Sequence, residues 1–432
     1  MSAIKTAAPN REPLWDIVEE SRDEAAFLWR RWEAELTSLT RNLDEVWSWT
    51  EDRLHGALDG AAVGGDATIE RLLIPALTHE ELSYNTVAAY LLVNSRSDKA
   101  RDALSTALRD AKGAKLSAMI RGIEVTELSG RFAPIAAMLA KHSPEHCAAL
   151  CRLKVFHRAT LGQELRDTFS SNIPELQAFA LQAAAHLPAQ YVNSWIDTGL
   201  KSDHLSVRQA AMLSGIRCRV PQAWSAALNM ARESLPESSS LLLALALFGG
   251  VAEHQVVTSA IKLPTTSKAA VRALAHIGTP EAIQLLLELM SDAQLARVAG
   301  EAYCAIAGVE LERDRLMQAD LPDEAPTFEA DDLNANLVPQ QDETWPLPDV
   351  AAVTRHWDSV RARFSRGVRY LRGAPANLQR LAEMVEKGPM LRRADHVFEL
   401  AARTSGQYDV VERAFAATQR RMMSAARARI GS

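Results

Sequence analysis

The stretch AAVRALAHIGT, residues 269–279, mixes small and large apolar residues at helical spacing and stops before Pro280. It has counterparts along most of the chain. They are YNTVAAYLLVN from Tyr84, AKLSAMIRGIEV from Ala114, EHCAALCRLKV from Glu145, ELQAFALQAAA from Glu175, SVRQAAMLSGI from Ser206 and SSSLLLALALF from Ser238. With Thr86, Ser117, Cys147, Gln177, Arg208, Ser240 and Arg272 taken as equivalent, the copies follow at steps of about 30–32 residues. One more copy, LARVAGEAYCAIAG from Leu295, follows after a shorter step of about 25.

Small residues let neighbouring helices approach, and large ones fill the gaps between them. Between copies lie second helical stretches and prolines: Pro134, Pro144, Pro174, Pro188, Pro221, Pro236, Pro264 and Pro280. Proline suits a first turn or a break and fits poorly inside a helix. Each unit therefore reads as two antiparallel helices. One pair cannot bury its apolar face alone, so the pairs must stack, leaving one long concave face. The units near Arg208 and Arg272 resemble HEAT repeats, in which an Asp in the turn and an Arg in the second helix often form a ladder. Asp203 with Arg208, and Asp292 with Arg297, have that spacing, although a solvated charge at a helix start explains it equally well. Strand signals are nearly absent, and no Asn-Gly or Asp-Gly hairpin turn joins two strand-like runs. The expected fold is all-α: a HEAT-like α-solenoid with an N-terminal helical cap and a C-terminal helical module.

Bulk properties narrow the function. A chain of 432 residues exceeds one ordinary core. Its net charge of -6 disfavours general nucleic-acid binding, which needs a basic surplus. The longest apolar run, LLLALALF from Leu241, is far short of the roughly 20 residues that span a bilayer. The N-terminal MSAIKTAAPNREP has no apolar core of a secretory signal, so a cytoplasmic location is expected and no membrane partner. Four cysteines make no disulfide framework. Cys147 and Cys151, with His142 and His146 nearby, read as buried thiols in preference to a zinc site, which usually wants four ligands.

The ends differ from the middle. Residues 1–66 form the expected cap and carry five of the nine tryptophans: Trp15, Trp29, Trp32, Trp47 and Trp49. These tryptophans shield the first repeat or, in part, anchor a partner. The array covers 67–317, and an acidic, proline-containing connector covers 318–349. The module 350–432 concentrates arginines: Arg361, Arg363, Arg366, Arg369, Arg372, Arg392, Arg393, Arg420, Arg421, Arg427 and Arg429. They pair with nearby acids or offer a basic surface.

The two ends together resemble a known family. IVEESRDEAAFLW with LDEVWSWTEDRLHGALDGA forms one end. AGEAYCAIAGVELERDRL, the acidic connector, TWPLPD, HWDSVRARFSRGVRYLRGAP and LRRADHVFELAAR form the other. In this order they resemble bacterial HEAT-like repeat proteins whose genes often sit among type VI secretion genes, near those for PAAR-type spike proteins. The resemblance runs from about Trp15 to Arg403 and implies no catalytic residues. It implies a protein partner, a type VI secretion effector or a PAAR-type spike component. The role is then adaptor or chaperone, or an immunity protein that neutralises a toxin.

Catalytic signatures are missing. There is no GxxxxGK[ST], HExxH or GxSxG, and only His79-Glu80 has the order of the His-Glu pairs that bind iron in some HEAT-repeat enzymes. A non-enzyme is expected, with no cofactor and no metal. The candidate partner-binding residues are Arg208, Arg272 and Arg297 on the concave face, and Trp29 and Trp32 in the cap. Nucleic-acid binding through the C-terminal arginines is the remaining alternative.

Overall fold

The computed structural model describes residues 13–127, 132–187, 189–233, 239–318 and 341–430. They belong to two compact units, Met1–Ala223 with Ala382–Ser432, and Trp224–Leu381. The division falls within the stretch expected as one array, and it shares the expected module 350–432 between the units. The expected connector lies outside the described residues except at its two ends.

In the first unit, the cap is α1 (Trp15–Glu35), followed by α2 (Leu43–Val46), a π turn (Trp47–Glu51) and α3 (Asp52–Ala61). Short turns follow: α4 (Asp66–Thr68), a second π turn (Ile69–Leu73) and α5 (Ile74–Ala76). The repeats are α6 (Leu82–Asn94), α7 (Asp98–Asp110), α8 (Gly113–Glu124), α9 (Ala133–His142), α10 (Pro144–Phe156), α11 (Gln163–Phe169), α12 (Pro174–Ala184), α13 (Ala189–Leu200) and α14 (Leu205–Arg217). Helix α15 (Pro221–Glu233) begins at the unit boundary. The second unit contains α16 (Ser239–Phe248), α17 (Val251–Ala260), α18 (Ser267–Ile277), α19 (Pro280–Leu289), α20 (Ala296–Ala307) and α21 (Val350–Val360). It also holds an antiparallel hairpin, β1 (Tyr370–Leu371) with β2 (Ala374–Pro375). Helix α22 (Leu378–Lys387) crosses the other boundary, and α23 (Arg393–Arg403) and α24 (Ala416–Ile430) belong to the first unit.

Every sequence copy falls on an even-numbered helix from α6 to α20. Successive even helices pack on one another, α6 on α8 and α12 on α14 in the first unit, α16 on α18 and α18 on α20 in the second. They are therefore buried nearly all round. In α16, Leu241, Leu242, Ala244, Leu245, Ala246 and Leu247 are all inside. The odd helices bury one stripe, as in α7 with Ala100, Leu104 and Leu108 four residues apart. Pro134, Pro144, Pro174, Pro221 and Pro280 stand in first turns, while Pro188 and Pro236 lie outside the described residues. The fold is all-α and of HEAT-like solenoid type, as the repeat predicts. The small hairpin was not legible because its two-residue turn, Arg372-Gly373, uses an arginine at φ +46° where Asn or Asp is usual. Among the described residues, no helix is long and apolar enough to cross a membrane.

The cap packs against the first repeat through α1 and α6. Trp29 and Trp32 are 2 % and 0 % exposed, which overturns their reading as a partner anchor. Their rings meet each other and Phe415 of the C-terminal stretch, and Trp29 also meets Tyr90 of α6. A buried indole N–H needs an acceptor. Trp32 Nε1 donates to Glu51 Oε2 at 3.0 Å, and Ala416 N, in the first turn of α24, donates to Glu51 Oε1 at 2.8 Å. The carboxyl of Glu51, in the first π turn, thus ties the cap to the last helix.

A helix end leaves carbonyls unpaired. In the second unit these are met by backbone. Tyr370 N donates to Gly278 O at 2.7 Å, Arg372 N to Ala305 O at 2.8 Å and Gly373 N to Ile306 O at 2.7 Å. Gly278 and Gly308 turn the chain out of α18 and α20 at φ +65° and +84°. A Cβ on Gly278 would lie 2.5 Å from Tyr370 O, and one on Gly308 2.7 Å from Arg372 O. Glycine is required there for both conformation and approach.

Burial pushes the Glu51 carboxyl up to about 7, against the pull of its two donors and Arg420. A folded-state pKa above the unfolded value gives stability that is present at acid pH and lost as pH rises through about 7. Urea unfolding should show the wild type losing stability between pH 5 and 7.5 relative to Glu51→Gln. Parallel pH profiles for the two proteins would contradict this assignment.

Candidate binding pocket in the first unit

The arginines chosen from the repeat are engaged by the chain itself. Arg208 Nη1 donates to Ser202 O at 2.7 Å, not to Asp203. The Arg272 guanidinium lies 5.1 Å over the ring of Trp345, and Arg297 Nη1 donates to Trp345 O. Lys268, one turn before Arg272, pairs with Asp342 at 2.7 Å. Asp292 accepts from Gln294 N at 2.8 Å and so holds its own turn. No Asp–Arg ladder forms between these pairs. In the second unit, Arg272 and Arg297 hold the buried Trp345 instead, with Arg272 itself exposed and Arg297 half-buried.

Many of the C-terminal arginines are likewise paired. Arg366 meets Glu281 at 3.1 Å and Arg372 meets Glu310 at 3.3 Å in the second unit. Within the first unit, Arg420 meets Asp44 at 2.6 Å and Arg427 meets Glu386 at 2.5 Å. Arg393 is buried, and its Nη1 donates to Gln419 Oε1 at 2.7 Å. Cys147 and Cys151 are buried thiols, while His146 is occupied by Ser143 and the Leu108 carbonyl.

The first unit seats its C-terminal stretch on the ends of the even helices, where side chains make the bonds. Arg158 after α10 and Arg219 after α14 turn the chain out at φ +53° and +58°, the conformation that Gly278 and Gly308 adopt in the second unit. A non-glycine residue there costs about 1 kcal/mol, and its side chain offsets that cost. Arg219 donates to Ala402 O at 3.0 Å, Arg403 O at 3.0 Å and Ser405 Oγ at 3.2 Å. Arg121 of α8 donates to Arg413 O at 2.7 Å and pairs with Glu33 of α1, which Arg413 also meets at 2.7 Å. Glu124 at the end of α8 pairs with Arg121 at 3.1 Å and with Arg152 of α10.

Asp409 is the centre of this seam. Arg158 Nη2 reaches Oδ2 at 2.9 Å and Arg217 Nη2 reaches Oδ1 at 2.6 Å. His186, just past α12, lies 2.9 Å from Oδ2 through Nδ1. An ionised carboxylate only accepts and arginine only donates, so Nδ1 carries the proton when it bonds Asp409 and is bare when it accepts from Arg158 Nη1, 3.0 Å away. Burial raises the Asp409 carboxyl, but the His186 bond and the charges of Arg217 and Arg158 outweigh it and hold it far below the ordinary range. Burial also lowers His186, with the two arginines adding to that and Asp409 opposing it, so the ring is neutral at pH 7.

Beside Asp409 opens a pocket of about 420 Å³. Helices α10, α12 and α14 supply Arg152, Phe156, Phe179 and Arg217. The C-terminal stretch supplies Val397, Phe398, Asp409 and Glu412. Arg158, His186, Arg217 and Asp409 were not singled out from the sequence. The available signal was positional: where the second unit has glycine just past an even helix, the first has Arg158 and Arg219. A cluster of charge and half-buried rings in a pocket suits recognition of a polar, partly apolar group. Among the described residues, no group of three or more His, Cys, Asp or Glu side chains stands close enough to hold a metal ion.

Comparison with known proteins bears on the repeats. Residues 268–292 match the family described as PBS lyase HEAT-like repeat, and the match covers the helix pair α18 and α19. No curated protein matches the chain. The chain thus contains a HEAT-like repeat, a unit that generally serves protein–protein interaction.

Asp409→Asn should cost about 2–4 kcal/mol at pH 7, because it leaves two part-buried arginines facing an amide. The depressed carboxyl gives stability that is present above about pH 4 and lost as pH falls through its folded value. Acid unfolding followed by circular dichroism should therefore be steeper for wild type than for Asp409→Asn below pH 4. Equal stability at pH 7 would show that the cage contributes nothing.

Proposed function

We propose that this chain is a non-enzymatic, protein-binding scaffold that acts as an adaptor or chaperone for a type VI secretion effector or a PAAR-type spike component. The observation that carries the scaffold reading is the stacked series of helix pairs, one of which matches a HEAT-like repeat. Stacked pairs present a wide preformed surface, so binding orders few new groups. The secretion setting is supported by the separated motifs at the two ends of the sequence, which occur in the order found in the family they resemble. A protein partner is favoured over nucleic acid because Arg366, Arg372, Arg420 and Arg427 already face carboxylates. Arginines neutralised in this way have little charge to offer phosphate.

A pull-down from the native bacterium with the full chain as bait, read by mass spectrometry, tests this. A spike-tip protein or an effector fused to one is the expected catch. Deleting the gene should then abolish secretion of that effector and leave the cell healthy. Death of the deletion strain would move the assignment to an immunity protein. Recovery of nucleic acid or ribosomal proteins alone, lost at higher salt, would overturn the proposal.

A further inference from the structure

We infer that the pocket beside Asp409 is the docking site for an acidic segment of a protein partner, whose carboxylate is taken by Arg158 and Arg217 in competition with Asp409. The inference rests on the scaffold reading above and assigns it a surface and a partner chemistry. Its first support is the way charge is divided between the walls. The repeat side contributes Arg152, Arg158 and Arg217 against one acid, Glu124. The C-terminal side contributes Asp409 and Glu412 against Arg413. The repeats alone are thus a cationic surface, and the acid that answers it comes from the returning chain.

The second support is the bonding pattern. Residues 407–411 are non-helical, and Asp409 projects from them onto Arg158, Arg217 and His186. The chain itself thus displays how the repeat surface binds a carboxylate carried on a non-helical segment. Arginine suits this task because its fork can hold two oxygens, or share one between neighbours. The Arg158 and Arg217 side chains keep 29 % and 12 % of their surface exposed, so the cage opens to the pocket and is not sealed.

The third support is the apolar lining. Phe156, Phe179 and Phe398, from three different helices, are each half-buried around the same space. The volume of about 420 Å³ is in the range of ligand sites and exceeds what one side chain fills. A segment with an Asp or Glu beside a Leu or Phe satisfies both parts of the lining. A basic segment would meet Arg152, Arg158 and Arg217 and be repelled.

The test is selection of a random 12-residue peptide phage library on three forms of the full chain: wild type, Asp409→Ala, and the double variant Arg217→Ala/Asp409→Ala. The double variant removes both members of the Arg217–Asp409 pair and leaves Arg158 and His186 without Asp409, so circular dichroism checks the fold of both variants. Peptides with Asp or Glu next to an aromatic or aliphatic residue should be enriched on the wild type. Their affinity should rise about tenfold on Asp409→Ala, where the competitor is gone, and fall to background on the double variant. Absence of enrichment, enrichment without acidic bias, or equal binding to the double variant would overturn the inference. A cellular partner that binds the double variant as tightly as wild type would remove this pocket and leave the scaffold reading standing.

Discussion

The exposed ends of the even-numbered helices are the constraint on which this molecule depends. Stacked helix pairs bury their sides against one another, but their C-terminal carbonyls have no partner within the stack. Each unit brings chain from much later in the sequence to these ends. The second unit pairs such carbonyls with the backbone N–H groups of Tyr370, Arg372 and Gly373, drawn against Gly278 and Gly308. In the first unit the bonds run the other way: Arg219, Arg217 and Arg121, at or just past the helix ends, donate to Ala402 O, Asp409 and Arg413 O of the returning stretch, and Ala416 N donates to Glu51.

The two solutions have different physical consequences. Backbone contacts at glycine are short and tolerate no side chain, so that seam is defined by shape. The first unit's seam is defined by charge. A lone buried carboxylate is costly, and three donors around Asp409 make it tolerable. The same arrangement leaves a pocket, because long arginine side chains hold the C-terminal stretch at a distance from the helices. A recognition surface and a structural seam can therefore share the same residues.

Much of the fold was legible in the sequence because its signal is repetition. Ala and Leu at helical spacing, recurring from Tyr84 to Gly308, placed every even helix from α6 to α20, and the prolines marked first turns. The cap was legible for the same reason, as an amphipathic hairpin that must face a repeat. Its tryptophans carried two meanings, and burial beneath Phe415 decided between them for Trp29 and Trp32. What could not be read was pairing across hundreds of residues. Arg272 and Arg297 read as open to a partner because Trp345, 48 residues beyond Arg297, gives no local sign of lying on them. Asp409 was silent because one acid in a short turn is ordinary until Arg158, His186 and Arg217 converge on it. The family resemblance added a biological setting, which neither periodicity nor geometry supplies.

The central claim is that residues 402–416 form part of the first unit's folded body. Native-state hydrogen exchange of the full chain, read by mass spectrometry, tests it most directly. The account predicts that amides of residues 408–416 are protected and open together with those at the ends of α10, α12 and α14, since the same bonds hold both. Rapid, independent exchange across 408–416 while those helix ends stay protected would contradict it.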